Sequence, residues 1–440
     1  MFRRLSAPRL IAIGFAAFMG LGTLLLKLPA STHEGISWVN ALFVAVSAVS
    51  VTGLSSVDYP STFTTFSSTV IMLLVQVGGL GIMTFATLGA VLVGRRVGFR
   101  DLLAARQEIG NVDSPRNTLR LIGQIAWITL LVEALGAIVL VVGFIRGGFG
   151  YGDSLFQAVF HAIMAFCNAG FTTLPNRGLF PYAGDPAVNS ALITLIILGG
   201  LGFPVLVNLY RYQQVRRLTL HSKLVLVTTA ALILIGVLSV ALLEWGNPGT
   251  LGDHTSETRL WMSLLQGVTP RTAGFSTVDY AQMREPTLFV QMGLMFVGTA
   301  PSSTGGGVKV TTLAILVLLL LSQAQGQEEV SAFGRRVPTQ LMQKVLVVLS
   351  LSALLVIVAT LALMISDDLR LLPAIFEITS AFGTVGLSLN VTPELTAFGK
   401  LLVAGVMLLG RVGPITLILA LSARQKGRGY VYPREDIAIG

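Results

Sequence analysis

Residues 371–388 read LLPAIFEITSAFGTVGLS, an apolar helix-like stretch of about 12 residues, too short to cross a bilayer, that runs directly into a glycine segment. The same arrangement occurs three more times. WVNALFVAVSAVS leads into VTGLS over 38–55, SLFQAVFHAIMAF into NAGFT over 154–172, and LWMSLLQGVT into TAGFS over 260–276. Each segment has a small or β-branched residue, then Gly, then Leu or Phe, then Ser or Thr. The central glycines, Gly53, Gly170, Gly274 and Gly386, are separated by 117, 104 and 112 residues. A second landmark follows them: GGLG at 78 and 199, GTAP at 298 and GRVG at 410 begin 25, 29, 24 and 24 residues later. Two landmarks in register identify an internal fourfold repeat.

Long apolar runs flank each short one, over 10–28, 66–94, 120–145, 188–210, 224–243, 287–321, 345–365 and 400–422, which predicts eight membrane spans. Composition agrees: of 440 residues, 53% are hydrophobic and 12% charged, against about 25% charged in a soluble domain. A soluble enzyme is thereby excluded. The single cysteine, Cys167, excludes an internal disulfide, and four scattered histidines offer no zinc-ligand spacing. The basic N-terminal MFRRLSAPRL has the look of a signal peptide, but the stretch fits as the first span of repeat 1 and is expected to be retained. The predicted fold is an all-α polytopic membrane protein with four pseudo-symmetric repeats of span, pore helix and span around one central pore, as in a K⁺ channel. The repeats cover 1–97, 116–217, 219–325 and 336–425, followed by a cytoplasmic tail over 426–440.

The net charge of +9 does not indicate nucleic acid, because the basic residues cluster between spans. With eight spans both termini share one side. That side carries 20 of the 30 Lys and Arg and 7 acids, the other 8 basic residues and 13 acids, with Glu133, Lys309 and Arg411 placed within spans. The positive-inside rule makes both termini cytoplasmic, so the short helices descend from the outer face.

Non-helical backbone at membrane depth must be buried in protein or line an aqueous cavity. Four such loops around one axis offer a ring of carbonyls that can replace an ion's hydration shell. Glycine suits this because it reaches φ > 0 and adds no side chain to the pore. The candidate filter residues are Val51, Thr52 and Gly53; Asn168, Ala169 and Gly170; Thr272, Ala273 and Gly274; Thr384, Val385 and Gly386. They are uncharged, which argues against a calcium-type ring of carboxylates and for a dehydrated monovalent cation such as K⁺. The short helices would aim their negative C-terminal ends at that cation. The simpler alternative is that these glycines only allow close helix packing; four in register, each behind a short helix, favour the filter.

The third repeat differs in its second span. Thr299, Ala300, Pro301, Ser302, Ser303, Thr304, Gly305, Gly306 and Gly307 interrupt it with small, polar and helix-breaking residues. This segment is expected to obstruct the pore below the filter, with Arg411 beside it as a positive barrier and hydrogen-bond anchor; a merely snorkelling or packing Arg411 is the alternative. Glu377 either bonds the backbone behind the filter or lies at the outer vestibule. His161 reads as a packing or hydrogen-bonding residue and not a metal ligand, and Lys309 either flanks the broken loop or meets cytoplasmic water.

The segments VTGL, CNAGF, RTAGF and FEITSAFGTVGLS, the loop APSSTGGGVK and the element GRVGP resemble the Trk/Ktr/HKT superfamily of K⁺ transporters over nearly the whole chain. With eight spans and no additional N-terminal pair, the chain is more similar to the KtrB type of membrane subunit than to the longer TrkH type. The resemblance implies K⁺ uptake across the bacterial plasma (inner) membrane, often Na⁺-dependent in the Ktr branch, through one pore in each subunit of a homodimer. It further implies a nucleotide-binding cytoplasmic ring of RCK-type, KtrA-like subunits. By motif match the four glycines correspond to filter glycines, 298–307 to the intramembrane gate loop and Arg411 to the positive residue beneath it. Some plant relatives carry Ser at the first filter glycine and admit Na⁺; this chain has Gly53. It has no GxGxxG fingerprint behind a strand, so no organic cofactor is expected and nucleotide control must act in trans. Docking surfaces are expected in 95–120, 211–223 and the tail RQKGRGYVYPREDIAIG, whose basic residues equally suit membrane lipid. Two other functions compete. An alternating-access cation secondary transporter is disfavoured because the four repeats run in parallel and are not inverted. An intramembrane enzyme is disfavoured because charges within spans do not cluster.

Overall fold

The computed structural model describes residues 7–81, 84, 115–175, 178–327 and 329–413. The chain is an all-α membrane protein of K⁺-channel-like architecture, apart from one two-stranded hairpin of Ser331–Ala332 (β1) with Arg335–Arg336 (β2). In chain order, α1 is Ala7–Leu26, α2 Trp38–Val49, α3 Thr65–Leu80, α4 Pro115–Arg146, α5 Tyr151–Cys167, α6 Pro186–Gly200, α7 Phe203–Tyr210 and α8 Leu220–Glu244. After these come α9 Ser256–Val268, α10 Glu285–Phe296, α11 Val310–Ala324, α12 Thr339–Asp367, α13 Leu371–Gly383 and α14 Ala397–Val412. The first helices of the repeats, α1, α4, α8 and α12, surround the short α2, α5, α9 and α13. The C-terminal parts of those short helices are buried: Phe43, Phe160, Phe166, Phe376 and Phe382 are all within 1% of zero exposure. Large apolar residues of the outer helices instead face outward, including Trp127, Leu238 and Ile357, as lipid contact requires.

The expectation that only the span over 287–321 is interrupted needs correction. Among the described residues three helices are long and apolar enough to cross a membrane alone, Leu121–Arg146, Leu220–Glu244 and Thr339–Asp367; α6 and α7 form a fourth span bent by 103°. The expected span over 188–210 therefore breaks at Leu201–Gly202. Gly202 has φ +84°, and Pro204 sits in the first turn of α7, unable to donate to a continuous helix. Helices α3 and α14 stop in the same way at Gly81 (φ +88°) and Gly413 (φ +85°). Among the described residues the second helix is therefore interrupted in repeats 2 and 3, at 201–202 and at 297–309. The remainder of the span over 66–94, most of the loop 95–120, and residues 414–440 with the tail lie outside the described residues.

The second landmark has a packing explanation. A Cβ on Gly78 would lie 2.1 Å from the carbonyl oxygen of Val49, one on Gly199 1.8 Å from that of Phe166, and one on Gly410 1.9 Å from that of Phe382. In three repeats the second helix therefore crosses directly against the C-terminal end of its own short helix, where no side chain fits. In the third, Gly298 instead packs on Gly306 of the interruption, 1.9 Å from its carbonyl oxygen to the would-be Cβ.

Three further charged groups sit inside the protein: Glu244, Arg271 and Glu377 are 0%, 4% and 0% exposed, where the charge pattern alone placed them on the outer face. Glu244, at the end of α8, accepts from Asn247 Nδ2 at 2.6 Å, Thr250 Oγ1 at 2.8 Å, the Arg284 backbone N–H at 2.9 Å and the Thr287 hydroxyl. It caps α10 and ties the two spans of repeat 3 together. Glu244→Ala strands the buried hydroxyls of Thr250 and Thr287, each costing about 1–3 kcal/mol when unsatisfied. The expected result is a lowered thermal unfolding midpoint of the detergent-solubilised protein; an unchanged midpoint would contradict this role.

Candidate functional site

The four glycine loops meet in one closed ring, each touching the next repeat in chain order. A Cβ on Gly53 would lie 2.3 Å from Gly170 N, one on Gly170 2.7 Å from Gly274 Cα, one on Gly274 2.3 Å from Val385 O, and one on Gly386 2.3 Å from Thr52 O. The 12 residues singled out from the sequence are thus brought together.

The backbone that forms the ring is unusual. Val51 (φ +59°), Asn168 (+59°), Thr272 (+68°) and Thr384 (+51°), two residues before each glycine, are all left-handed. Three of these are β-branched, for which this region is a true outlier, costing on the order of 1–3 kcal/mol each. Three of the short helices close in Schellman fashion: Thr52 N–H donates to Ser47 O, Ala169 N–H to Met164 O and Val385 N–H to Ser380 O, each at 2.8 Å, whereas in repeat 3 Ala273 N–H donates to Thr269 O at 2.9 Å. Gly53 (φ +89°), Gly274 (+76°) and Gly386 (+92°) are again left-handed, with one ordinary residue between. Left-handed residues alternating with ordinary ones turn successive carbonyls toward the same side, whereas an extended strand alternates them. Such loops can present stacked carbonyl oxygens to one axis, the chemistry needed to hold a desolvated cation.

The interruption of repeat 3 lies directly against this ring. Gly306 N–H donates to Thr384 Oγ1 at 2.9 Å, and a Cβ on Gly305 would be 2.0 Å from Thr272 Oγ1. Backbone bonds tie the segment elsewhere: Ala300 N–H to Gly200 O at 3.1 Å, Thr304 N–H to Gly199 O at 3.3 Å and Gly307 N–H to Gly410 O at 3.3 Å. Within it, the hydroxyls of Thr299 and Ser303 are 2.7 Å apart and Ser303 Oγ donates to Ala300 O at 2.6 Å. Pro301 and Ser302 turn toward α7, where Phe203 N–H donates to Ser302 O at 3.0 Å.

Arg411 joins the assembly from α14. Its guanidinium donates to Thr304 O in the interruption and to Gly78 O at the end of α3, with Gly79 O at 3.4 Å. One side chain therefore connects repeats 1, 3 and 4. Lys309 flanks the loop, with Nζ donating to Gly305 O at 2.7 Å. Both cations line a cavity of about 270 Å³ with Gly78, Pro301, Ser303 and Gly305.

The residues read as ambiguous resolve as follows. Glu377 bonds neither filter backbone nor open vestibule: its Oε1 accepts from Thr392 Oγ1 at 2.5 Å, on the turn that follows the filter. Both ring nitrogens of His161 are engaged, Nδ1 with Gln157 O at 2.7 Å and Nε2 with Thr172 Oγ1 at 2.9 Å. Arg271, which the sequence reading did not select, lies buried next to Thr272, and its Nε and one terminal nitrogen have no hydrogen-bond partner. The only signal for it was its place directly before TAGF. Glu133 accepts from Gln76 Nε2 at 3.1 and 3.2 Å, and Cys167 Sγ lies 3.4 Å from Gln76 Oε1. Cys167 is 0% exposed. A polymer-linked maleimide is therefore expected to leave the native protein unmodified and to shift it by one adduct after denaturation; native labelling at a comparable rate would show this packing to be wrong.

Known proteins resemble the chain over nearly its whole length. The TrkH family, described as cation transport protein, matches residues 11–427. The chain is 38% identical to Ktr system potassium uptake protein B of Bacillus subtilis (strain 168), covering 99% of this chain and 97% of that protein. It is 35% identical to the potassium/sodium uptake protein NtpJ of Enterococcus hirae, covering 100% and 98%. The crystal structure of the potassium transporter TrkH from Vibrio parahaemolyticus superposes with a TM-score of 0.72 at 19% identity, over 96% of this chain and 86% of that one, a likeness of fold. A repeated glycine loop, a matching family over almost the whole chain and relatives at this level of identity lead to one conclusion: the chain belongs to the TrkH family of cation transport proteins, within the Trk/Ktr superfamily.

Proposed function

We propose that the chain takes up K⁺ across the bacterial plasma membrane through a pore of its own, selected at the ring of Gly53, Gly170, Gly274 and Gly386 and gated at 299–307. The observation that carries this reading is the closed ring that the glycine loops of all four repeats form, with left-handed and ordinary residues alternating in repeats 1, 3 and 4. It is the backbone geometry suited to replacing a hydration shell with carbonyls. The relatives named for potassium uptake support K⁺ as cargo; Na⁺ as activator rests on the likeness to Ktr-type relatives. Cytoplasmic termini follow from the charge asymmetry. Homodimerisation and control by an RCK-type, KtrA-like nucleotide-binding ring rest on the likeness to Ktr-type relatives.

The test is ⁸⁶Rb⁺ uptake into proteoliposomes loaded with K⁺, with Na⁺ and Li⁺ as external competitors. Uptake abolished by K⁺ and little affected by Li⁺ is expected, with a rise on adding low Na⁺. Equal competition by all three ions would remove the selective pore, and uptake unchanged by Na⁺ would remove the activation.

A further inference from the structure

A second cavity, of about 460 Å³, lies far along the chain from the filter, between the turn that joins repeats 2 and 3 and the β1–β2 hairpin that precedes repeat 4. Arg216, Arg217, Lys223 and Arg335 line it together with Tyr212 and Phe333. Its lining contains four cations and, among the described residues, no carboxylate. Arg336, the next residue in the hairpin, is the one that pairs with Glu329, at 2.9 Å, outside the cavity lining.

The cations are held on a constructed turn. Asn208 Oδ1 accepts from Thr219 N–H at 3.1 Å and from Ser222 Oγ at 2.8 Å, while its amide donates to Arg217 O at 3.4 Å. Arg216 and Phe333 both adopt left-handed backbone, at φ +51° and +52°, on opposite walls. Lys223 Nζ stands 5.4 Å from the centre of the Phe333 ring, joining the two walls. Four like charges around one space repel, and an anion bridging them removes that cost. Guanidinium groups match phosphate oxygens in pairs.

We propose that this cavity binds a phosphate-bearing anion, namely the headgroup of an anionic phospholipid in the cytoplasmic leaflet. The assignment rests on the cytoplasmic placement of this face in the proposed function. Two observations favour a lipid over a free phosphate. Leu218, Leu220, Tyr212 and Phe333 give the cavity an apolar rim suited to a glycerol backbone. Tyr210 and Tyr212 are exposed beside the first turn of the α8 span, the position at which aromatic residues mark a bilayer interface.

The experiment uses the full chain, delipidated in detergent, with ligand retention read by native mass spectrometry. The probes are phosphatidylglycerol, phosphatidylcholine, ATP and inorganic phosphate. Arg217→Gln, Lys223→Gln and Arg335→Gln are combined in one variant, and Arg211→Gln, Arg336→Gln and Lys344→Gln, outside the cavity, in a control of equal charge. Phosphatidylglycerol affinity is expected to fall roughly ten- to a hundredfold in the first variant only, with phosphatidylcholine unaffected. Should the triple variant not fold, Arg217→Gln and Arg335→Gln singly are each expected to lose several-fold. Loss confined to ATP or inorganic phosphate would overturn the lipid source while keeping the phosphate site. Equal loss in both triple variants, or none in either, would overturn the site itself. Binding is read without flux, so failure of the K⁺ pathway would appear separately in the ⁸⁶Rb⁺ assay.

Discussion

Gly386→Ser is expected to lower the preference for K⁺ over Na⁺ by roughly tenfold, the consequence of a perturbation of about 1.4 kcal/mol at one carbonyl site, and to reduce ⁸⁶Rb⁺ uptake as well. Gly386 has φ +92°, a conformation that side-chain-bearing residues rarely adopt, and a Cβ there would lie 2.3 Å from Thr52 O and 3.3 Å from Gly53 Cα. Two costs coincide. The serine strains its own backbone, and relief of that strain rotates the peptide planes that face the axis. The new side chain also displaces the neighbouring filter strand of repeat 1, so the error spreads to a second repeat. The same substitution at Gly53, whose Cβ would meet Gly170 N at 2.3 Å, is expected to act alike at the next contact of the ring, between repeats 1 and 2. A serine hydroxyl near the axis can supply one oxygen but not at the position of a carbonyl, which favours a smaller, partly hydrated ion. Competition of ⁸⁶Rb⁺ uptake by graded Na⁺ in proteoliposomes measures the effect. Wild-type selectivity in Gly386→Ser and Gly53→Ser would sink the filter assignment, since no ring this tight tolerates an added carbon unnoticed. Gly293, where an added Cβ meets nothing within 4 Å, supplies the control, and Gly293→Ser is expected to leave selectivity unchanged.

Much of this architecture was legible because the repeat announces itself twice. Short apolar runs ending in glycine marked α2, α5, α9 and α13 to within a few residues, since length separates a re-entrant helix from a span. The GGLG and GRVG landmarks marked positions without their meaning: periodicity cannot say that Gly78, Gly199 and Gly410 each press on the last carbonyls of a short helix. The bend at Gly202 was hidden because apolar residues continue on both sides of it; Pro204, two residues later, was the available signal. The left-handed Val51, Thr272 and Thr384 could not be read at all. Propensity places glycine or asparagine at such sites, and here the surrounding ring overrides it. Burial of Arg271 and Glu244 was missed for a related reason: charge counts sort residues by side of the membrane, not by depth within the protein.

Removing the staple beneath the ring is expected to open the pathway. Arg411→Ala takes away the donors that hold Thr304 O to Gly78 O, and with them the link between the interruption and repeat 1. It also removes a positive charge: a fixed unit charge roughly 6 Å from an ion path opposes a cation by about 3 kcal/mol at an effective dielectric of about 20. Lys309 remains, so the barrier falls only in part, and a rise in ⁸⁶Rb⁺ uptake of about tenfold is the expected result. Arg411→Lys separates the two contributions. It keeps the charge but, lacking the planar fork, cannot reach both carbonyls at once; uptake close to wild type in Lys and raised in Ala assigns the barrier to charge, whereas a rise in both assigns it to the staple. Deleting Gly305–Gly307 tests the loop directly. Gly306 donates to Thr384 Oγ1 and Gly307 to Gly410 O, so a shortened loop loses its grip on repeat 4 and withdraws from the ring. That variant is expected to conduct at least as well as Arg411→Ala while keeping the selectivity set above it, because the residues that form the ring are untouched. Unchanged uptake in Arg411→Ala and in the deletion, with both proteins folded by their unfolding midpoints, would exclude 299–307 as the gate.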